Sequence, residues 1–524
     1  MLAEWGGGER KRGQMHQDRI AWQSLGLTPD RTDRTSLPSA DEDLLAYLEH
    51  QWSAAAEVER GSVGARSRRI AARLRAWQRR GARLTWGIPG DGNKPIDPWL
   101  GQRLAWWPAG IPAGRMVGLI SSRLGRELEA RQRWFAALRT ACMHLDHRHD
   151  LLVTARSIST QKYVQRAGEL FGVRVLELEV ADRSSGDPSR WGRSLLETDP
   201  ETTDPSLRLQ LSPPLQTIDE DAAWAPTPPA DRAVVALSDR LIVLHARGSG
   251  NVQRLVLCRL NSDLFPEASV FLALGPDLVP PELAQPWMDA GAVGWYLQNT
   301  DEAETTIDPG PWYLADSMRS PSAPIRRLSG LPERDGLTHW TRRRQGPWPD
   351  QGPADYLDDL ILDRHGADHS AFAALWRIVQ HRRLVATSDL IRGAAPVVCF
   401  TQVPLAEWTD RRSFRPHLSR WDFEPFGIRI QRSWLSARGA EAVRYGDQDL
   451  WDALPEHQRP FFQKRFTRND QGHTIDWSIE REWRHPGDLL LDELPSDSAQ
   501  LFVPTLADAR QIARISPWPV IVLE

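Results

Sequence analysis

At 524 residues the chain exceeds what one hydrophobic core ordinarily serves, so two or more domains are expected. A formal net charge of −4 argues against a generic nucleic-acid coat or a polybasic membrane binder. Three cysteines (Cys142, Cys258, Cys399) give no disulfide framework, and no apolar run reaches the roughly 18–20 residues that span a bilayer. The start of the chain lacks the charged, apolar, small-residue order of a secretory signal, so a cytoplasmic location without membrane partners is expected. Lysine occurs only at Lys11, Lys94, Lys162 and Lys464, so arginine supplies 61 of the 65 basic residues. With arginine spread so widely, no single one reads as a phosphate clamp.

Residues 1–40 are rich in Gly, Arg, Asp and Ser without periodicity and read as a loosely ordered lead-in. A helical N-terminal region is expected over 41–100, where LLAYLEHQWSAAAEV and ARSRRIAARLRAWQRR place apolar residues at i, i+3, i+4 spacing. The Gly, Pro, Asn and Asp of Gly87–Pro98 stop it. Over 101–300 the pattern alternates. Met116–Ser122, Asp150–Ala155, Val173–Val180, Leu241–Ala246 and Ser269–Gly275 read as strands, with helical stretches through Trp134-Phe135 to His144, over Tyr163–Phe171, and after Gly248–Asn251. Strands separated by helices predict an α/β fold, a Rossmann-like parallel sheet covered on both faces. Pro188–Pro229 reads as a loop, and 301–336 as an interdomain linker. A smaller α+β domain is expected over 337–524, and the Pro517-Trp518-Pro519 tail before Val520–Leu523 predicts a terminal strand edge.

Backbone N–H groups at strand-to-helix corners can cradle a phosphate, so Gly248, Ser249, Gly250 and Asn251 at a strand's carboxyl end are candidate binding residues beside Ser122, Arg123 and Thr154. The alternative is that Gly248–Asn251 is merely a tight turn. Cys142, His144, His147 and His149 lie close together with Asp146 and Asp150, but their spacing is not a standard zinc pattern and no metal is expected. The motifs of P-loop ATPases, zincins and serine hydrolases are absent.

The wording MVGLISSRLG, then ALSDRLIVLHARGSGNVQRL, then VFLALG, resembles the DprA/LOG superfamily, often called SLOG. The chain keeps Ser122-Arg123, Leu237-Ser238-Asp239 and Gly248-Ser249-Gly250. It departs at Ala155–Ser159, where the glycines of the family are mostly gone, and it carries Gln253 and Arg254 where the phosphoribohydrolase branch has an acidic residue. The resemblance therefore implies nucleotide binding or sensing more than hydrolysis.

In the last third, PVVCFTQVPLAEW, FEPFGIRIQRSWL and WSIEREWRHPGDL resemble, in order and content, the AbiGi-type abortive-infection proteins of bacteria. Two carboxylates two residues apart on a strand, Glu480 and Glu482, would point the same way. The order of a His-x-Thr strand, a helix, an aromatic-polar corner and a late glutamate is similar to NAD-binding ADP-ribosyltransferases, including DarT-like toxins. That resemblance implies His339 and Thr341 on the adenosine ribose, Phe400 and Thr401 at the nicotinamide, Glu482 as the catalytic carboxylate and Glu480 as its substrate-facing partner. The plainer alternative pairs both glutamates with Arg481, Arg484 or Arg429.

The expectation is a bacterial anti-phage, abortive-infection-like protein that couples a nucleotide-sensing domain to an effector which transfers ADP-ribose or consumes NAD. The partners expected are a nucleotide-derived signal, a macromolecular target and a second copy of the chain. A non-catalytic regulator or antitoxin, and a nucleotide-processing enzyme centred on the Rossmann-like half, are the alternatives.

Overall fold

The computed structural model describes residues 44–88, 96–182, 188–202, 207–214, 221–297, 323–328, 335–388, 391–407, 413–415, 420–468 and 474–523. The expected lead-in, the centre of the Gly87–Pro98 break and most of the expected linker lie outside them. The chain divides into two compact units. The first comprises Met1–Gly125, Ala130–Gln298 and Ile361–Asp363; the second comprises Arg126–Glu129, Asn299–Leu360 and Arg364–Glu524. Among the described residues no helix is long and apolar enough to cross a membrane.

Unit 1 opens with helices α1 (Leu44–Val58) and α2 (Gly61–Arg79). Chain order then runs β1 (Arg83–Trp86), α3 (Ile96–Leu100), β2 (Leu104–Trp107), β3 (Arg115–Ser121), α4 (Gln132–Met143), β4 (Asp150–Ala155), α5 (Gln161–Phe171) and β5 (Val175–Val180). It continues with α6 (Pro188–Glu197), β6 (Arg208–Leu211), α7 (Pro229–Leu237), β7 (Arg240–His245), α8 (Asn251–Leu260), β8 (Val270–Leu274), α9 (Pro281–Asp289) and β9 (Val293–Tyr296). The strands form one sheet in the order β1-β2-β6-β5-β4-β3-β7-β8-β9. From β6 to β9 every pair is parallel; β2 pairs antiparallel with β6, and β1 with β2. The expected Rossmann-like sheet is present, with Met116–Ser121 and Leu241–His245 in adjacent central strands.

Both faces of β3 are covered, which is why its apolar run is unbroken. Met116 and Ile120 face a core shared with Val234, Leu237 and Val243, whereas Ser121 on the opposite face accepts a hydrogen bond from buried Trp134 Nε1 at 2.9 Å. The Leu237-Ser238-Asp239 sequence is what locks β3 to β7. Asp239 accepts from Met116 N through Oδ2 at 2.7 Å and donates its own N–H to Met116 O at 2.8 Å. Ser238 Oγ returns to Val234 O, and the approach of that hydroxyl leaves no room for a side chain at position 118: a Cβ on Gly118 would lie 2.1 Å from it.

The stretch Pro188–Pro229 is not all loop: it contains α6 and β6. Leu195 and Leu196 of α6 join Leu48, Leu74, Trp77, Leu84 and Trp106 in a second core, which places the helical N-terminal region in the same unit as the sheet.

Unit 2 is built on an eight-stranded sheet of β10 (Ile325–Arg327), β11 (Gly336–Trp340), β12 (Val397–Thr401), β13 (Gly427–Gln431), β14 (Glu441–Ala442), β15 (Glu482–Pro486), β16 (Ala499–Val503) and β17 (Val520–Val522). In sheet order these run β10-β17-β16-β13-β11-β12-β15-β14. Helices α10 (Pro353–Leu362) and α11 (Ala371–His381) lie between β11 and β12 in sequence, and Ser370 caps α11 by accepting from Ala373 N at 3.1 Å. Leu375 and Val379 of α11 share a core with Leu337, Val398, Phe400, Ile428, Ile430 and Leu501. Val520–Val522 is not an edge strand, because β17 pairs in parallel with β10 on one side and β16 on the other. Pro519 precedes the strand, where a missing N–H removes no ladder bond, and its carbonyl accepts from Leu501 N.

The Gly118 constraint is testable. Gly118→Ala is expected to destabilise the chain by roughly 1–3 kcal/mol, the usual effect of overpacking a closed core. Adding Ser238→Gly is expected to restore part of the loss in urea unfolding.

Candidate functional site

The strand order of unit 1 reverses at β3: β4, β5 and β6 follow on one side, β7, β8 and β9 on the other. Connections from the carboxyl ends of β3 and β7 leave in opposite directions, and the crevice between them is where open parallel sheets take ligands. The Ser122-Arg123 corner follows β3 there, and the Gly248–Asn251 corner follows β7.

Hydrogen bonds tie these corners together. Ser122 N donates to His245 O at 2.9 Å, Arg247 N donates to Ser122 Oγ at 3.2 Å, and Arg247 Nη2 donates to Arg123 O at 2.8 Å. These bonds place Ser122 and Arg123 beside His245 and Arg247, just before the Gly248–Asn251 corner in sequence. Thr154 is not joined to them by any described contact; it lies buried in β4, paired in register with Glu177.

Gly250 stands at the N-cap of α8 in extended conformation, and no side chain caps the helix. The first intrahelical bond at this end is Arg254 N to Gly250 O at 3.2 Å. The N–H groups of Asn251, Val252 and Gln253 thus lack the intrahelical acceptors that later residues have. Ser249 N is already taken by Gln253 Oε1. A Cβ on Gly248 would meet nothing within 4 Å, and one on Gly250 only Arg247 O at 3.5 Å, so the backbone faces open space.

Three groups at this edge escaped the sequence reading. Asp231, in the first turn of α7, lies within electrostatic reach of the Arg123 and Asn251 side chains; burial raises its pKa against both influences. A carboxylate does therefore stand beside the Gly250 corner, although Gln253 and Arg254 occupy the positions where sequence alone looks for one. His245 closes β7 almost wholly buried, with Nδ1 lacking a hydrogen-bond partner. Burial pushes its pKa down, and Arg131 and Arg247 act in the same direction. Arg247 supplies a guanidinium at the mouth. Nothing in the sequence ties Asp231 to Asn251; only the fold brings them together.

In unit 2 the candidate residues divide between the two faces of the sheet. Thr338 lies opposite Thr401, and Thr401 opposite Glu482, so these three share a face. His339 is next to Thr338 on β11 and points to the other side, paired with Ile428 and edge-on to Phe400 at 5.8 Å. One cleft shared by His339, Thr401 and Glu482 is not what the pleat allows. Phe400 is 2% exposed within the core, which removes it as a platform for a nicotinamide ring. Thr341 is buried too, its hydroxyl donating to Ala371 O at 2.8 Å.

The Glu-x-Glu expectation also needs correction. Glu480 ends a 3-10 turn (Trp477–Glu480), Arg481 takes a left-handed φ of 46°, and only Glu482 belongs to β15. Glu482 is clamped by Arg484: Nε to Oε1 at 2.9 Å and Nη2 to Oε2 at 3.1 Å. Arg484 is 1% exposed and also donates to Pro460 O, Phe462 O and Gln463 Oε1 at 2.9, 2.8 and 2.8 Å. All five guanidinium N–H groups are thereby used. Glu482 N donates to Tyr445 Oη at 2.9 Å, and Thr401 Oγ1 to Glu480 O. These are the bonds of a structural ion pair that holds the Arg459–Lys464 region to the sheet.

No protein-family model matches the chain, and no curated protein does. Among solved structures the chain is similar to the X-ray structure of DNA processing protein A (DprA) from Streptococcus pneumoniae, at 13% identity over 53% of this chain and 94% of that one. The TM-score is 0.27, too slight a likeness to carry function across.

His339 gives a pH test. Burial pushes its pKa down to about 4, against the hydrogen bond from its Nδ1 to Cys399 O, which raises it. An unfolded histidine protonates near pH 6.5, as an order of magnitude. Between these values the unfolded chain binds more protons, so stability is complete above about pH 6.5 and falls as the pH drops toward 4. Burial lowers the pKa of His245 and His369 as well, and both add to the same slope. His339→Gln is expected to flatten, not abolish, the loss of urea midpoint between pH 7 and pH 5.

Proposed function

We propose that unit 1 is a nucleotide-binding module whose ligand places a phosphate at the N-terminus of α8, between the corners that follow β3 and β7. The observation that carries this reading is the set of backbone donors at Asn251, Val252 and Gln253, in front of an uncapped helix and beside Arg123 and Arg247. A helix N-terminus and two guanidinium groups supply the positive potential an anion needs. Asp231 is the polar opposite, a carboxylate held next to Asn251, and it suits a sugar hydroxyl and not a second phosphate. The resemblance to the SLOG superfamily at Ser122-Arg123, Leu237–Asp239 and Gly248–Gly250 supports the same ligand class.

The wider role we propose is the one implied by the wording of the C-terminal blocks: a bacterial defence protein for which the nucleotide in unit 1 is the signal and unit 2 the effector. No chemistry is assigned to unit 2. Glu482 is tied to Arg484, and Phe400 and Thr341 are buried, so an NAD site at those residues finds no support in the geometry.

Calorimetric titration of the full chain with AMP, ADP-ribose and inorganic phosphate tests the reading. Nucleotide binding is expected, and Arg247→Ala is expected to weaken it roughly 10–100-fold, since a hydrogen bond to a charged group is worth about 1.5–3 kcal/mol. Gly250→Trp is expected to abolish it without moving the melting temperature. Asp231→Asn is expected to weaken the nucleotides but spare inorganic phosphate. Unchanged affinity in Gly250→Trp and Arg247→Ala overturns the site.

A further inference from the structure

Helix α2 carries dense positive charge, most of it unpaired among the described residues. Arg66, Arg68, Arg69, Arg73, Arg75 and Arg79 lie within Gly61–Arg79, Arg80 follows at the C-cap, and the helix has no acidic residue. Its buried residues Gly64, Ser67, Ile70, Ala71, Leu74 and Trp77 lie along one side. At about 100° per residue the arginines fall into two rows on the rest of the surface. Arg66, Arg69, Arg73 and Arg80 form one flank, and Arg68, Arg75 and Arg79 the other. Between the rows runs a ridge of Ala65, Ala72 and Ala76.

Among the described residues, little neutralises these rows. Arg66 meets Glu197 at 3.6 Å and Arg75 meets Glu49 at 3.7 Å, both pairs with arginine side chains more than half exposed. Such surface pairs contribute on the order of 0–1 kcal/mol and give way easily to a stronger anion. Arg80 reaches Pro200 O and stacks over Trp77. Arg69, Arg73 and Arg79 have no acidic partner among the described residues.

We infer that α2 is a docking helix for the phosphate backbone of B-form duplex DNA. A helix with side chains is about 10–12 Å across, the width of a B-form major groove of about 12 Å. An alanine ridge lets the helix axis approach the groove floor, while the flanking rows reach the phosphates on either side. From Arg66 to Arg80 the rows run about 21 Å at the usual rise per residue. The ridge has no hydrogen-bonding side chain for base edges, so recognition is independent of sequence. A lipid surface fits less well: Ile70, Leu74 and Trp77 are engaged in the core, and no large apolar residue remains between the rows to enter a bilayer. Double-stranded RNA is disfavoured by its deep, narrow major groove.

Fluorescence anisotropy of a labelled 20-base-pair DNA duplex with the full chain, from 50 to 200 mM NaCl, tests this. Binding is expected, with log K falling linearly in log salt by about 0.9 per phosphate neutralised. The triple variant Arg69→Gln, Arg73→Gln, Arg79→Gln is expected to reduce that slope by about 2.7, three contacts' worth. Its circular dichroism and melting temperature should match the parent chain, as should nucleotide titration at α8, so failure here leaves the nucleotide reading untouched. No binding at 50 mM salt overturns the inference, and so does a triple variant with the parent slope. Equal or tighter binding of an RNA duplex, or retention by vesicles of anionic phospholipid but not by DNA, overturns it as well.

Discussion

A strand buried in a parallel sheet must be apolar on both faces and must pair all of its backbone groups, so its only polar freedom is at its ends. In unit 1 that constraint falls hardest on β3, which is flanked by β4 and β7 and covered above and below. The Asp239 exchange with Met116 and the close approach of Ser238 to Gly118 fix β3 against β7. Apart from Ser238 and Asp239 at the amino end and Ser121 within β3, the polar groups near this pair of strands gather at the carboxyl edge. Ser122, Arg123, His245, Arg247 and the uncapped start of α8 collect there because the sheet interior admits none of them. The candidate ligand site is thus a consequence of how the sheet closes, not an addition to it.

Unit 2 resolves its polar groups differently. Its sheet has an apolar face, built from Leu337, Phe400, Ile428 and Ile430, and an opposite face carrying Thr338, Thr401, Arg429, Glu482 and Arg484. Arg429 Nη1 donates to Thr338 Oγ1 at 2.9 Å, and Arg484 fills its five donors with Glu482, Gln463 and two backbone carbonyls. A buried guanidinium left with one donor short costs on the order of several kcal/mol. The density of bonds around Arg484 is the physical reason it can stay buried, and it explains why a glutamate sits in that aromatic setting at all.

The parts of this fold that were legible in the sequence are those governed by one local rule. Unbroken apolar runs mark β3, β4 and β7, and Gly172, left-handed at φ 66°, marks the end of α5. Strands β1, β2 and β6 were not legible, because each is only four residues long and two of them pair antiparallel at the margin of a parallel sheet. Asp231 was missed because its neighbour Asn251 lies across a strand and two corners. The Glu480 and Glu482 pair misled for a sharper reason: a left-handed Arg481 between them breaks the alternation on which the same-face inference rests. His339 misled by one position, since the pleat turns adjacent residues to opposite faces.

The central claim is that the backbone donors opening α8 receive an anionic ligand. Amide hydrogen exchange of the full chain, with and without saturating AMP, addresses those donors directly. Uncapped first-turn amides of a helix have no intrahelical acceptor and exchange readily. Slowed exchange of Asn251, Val252 and Gln253 together with the Ser122–Leu124 corner is the result the account predicts. Protection confined to unit 2, or none at ligand concentrations that saturate calorimetric binding, would contradict it.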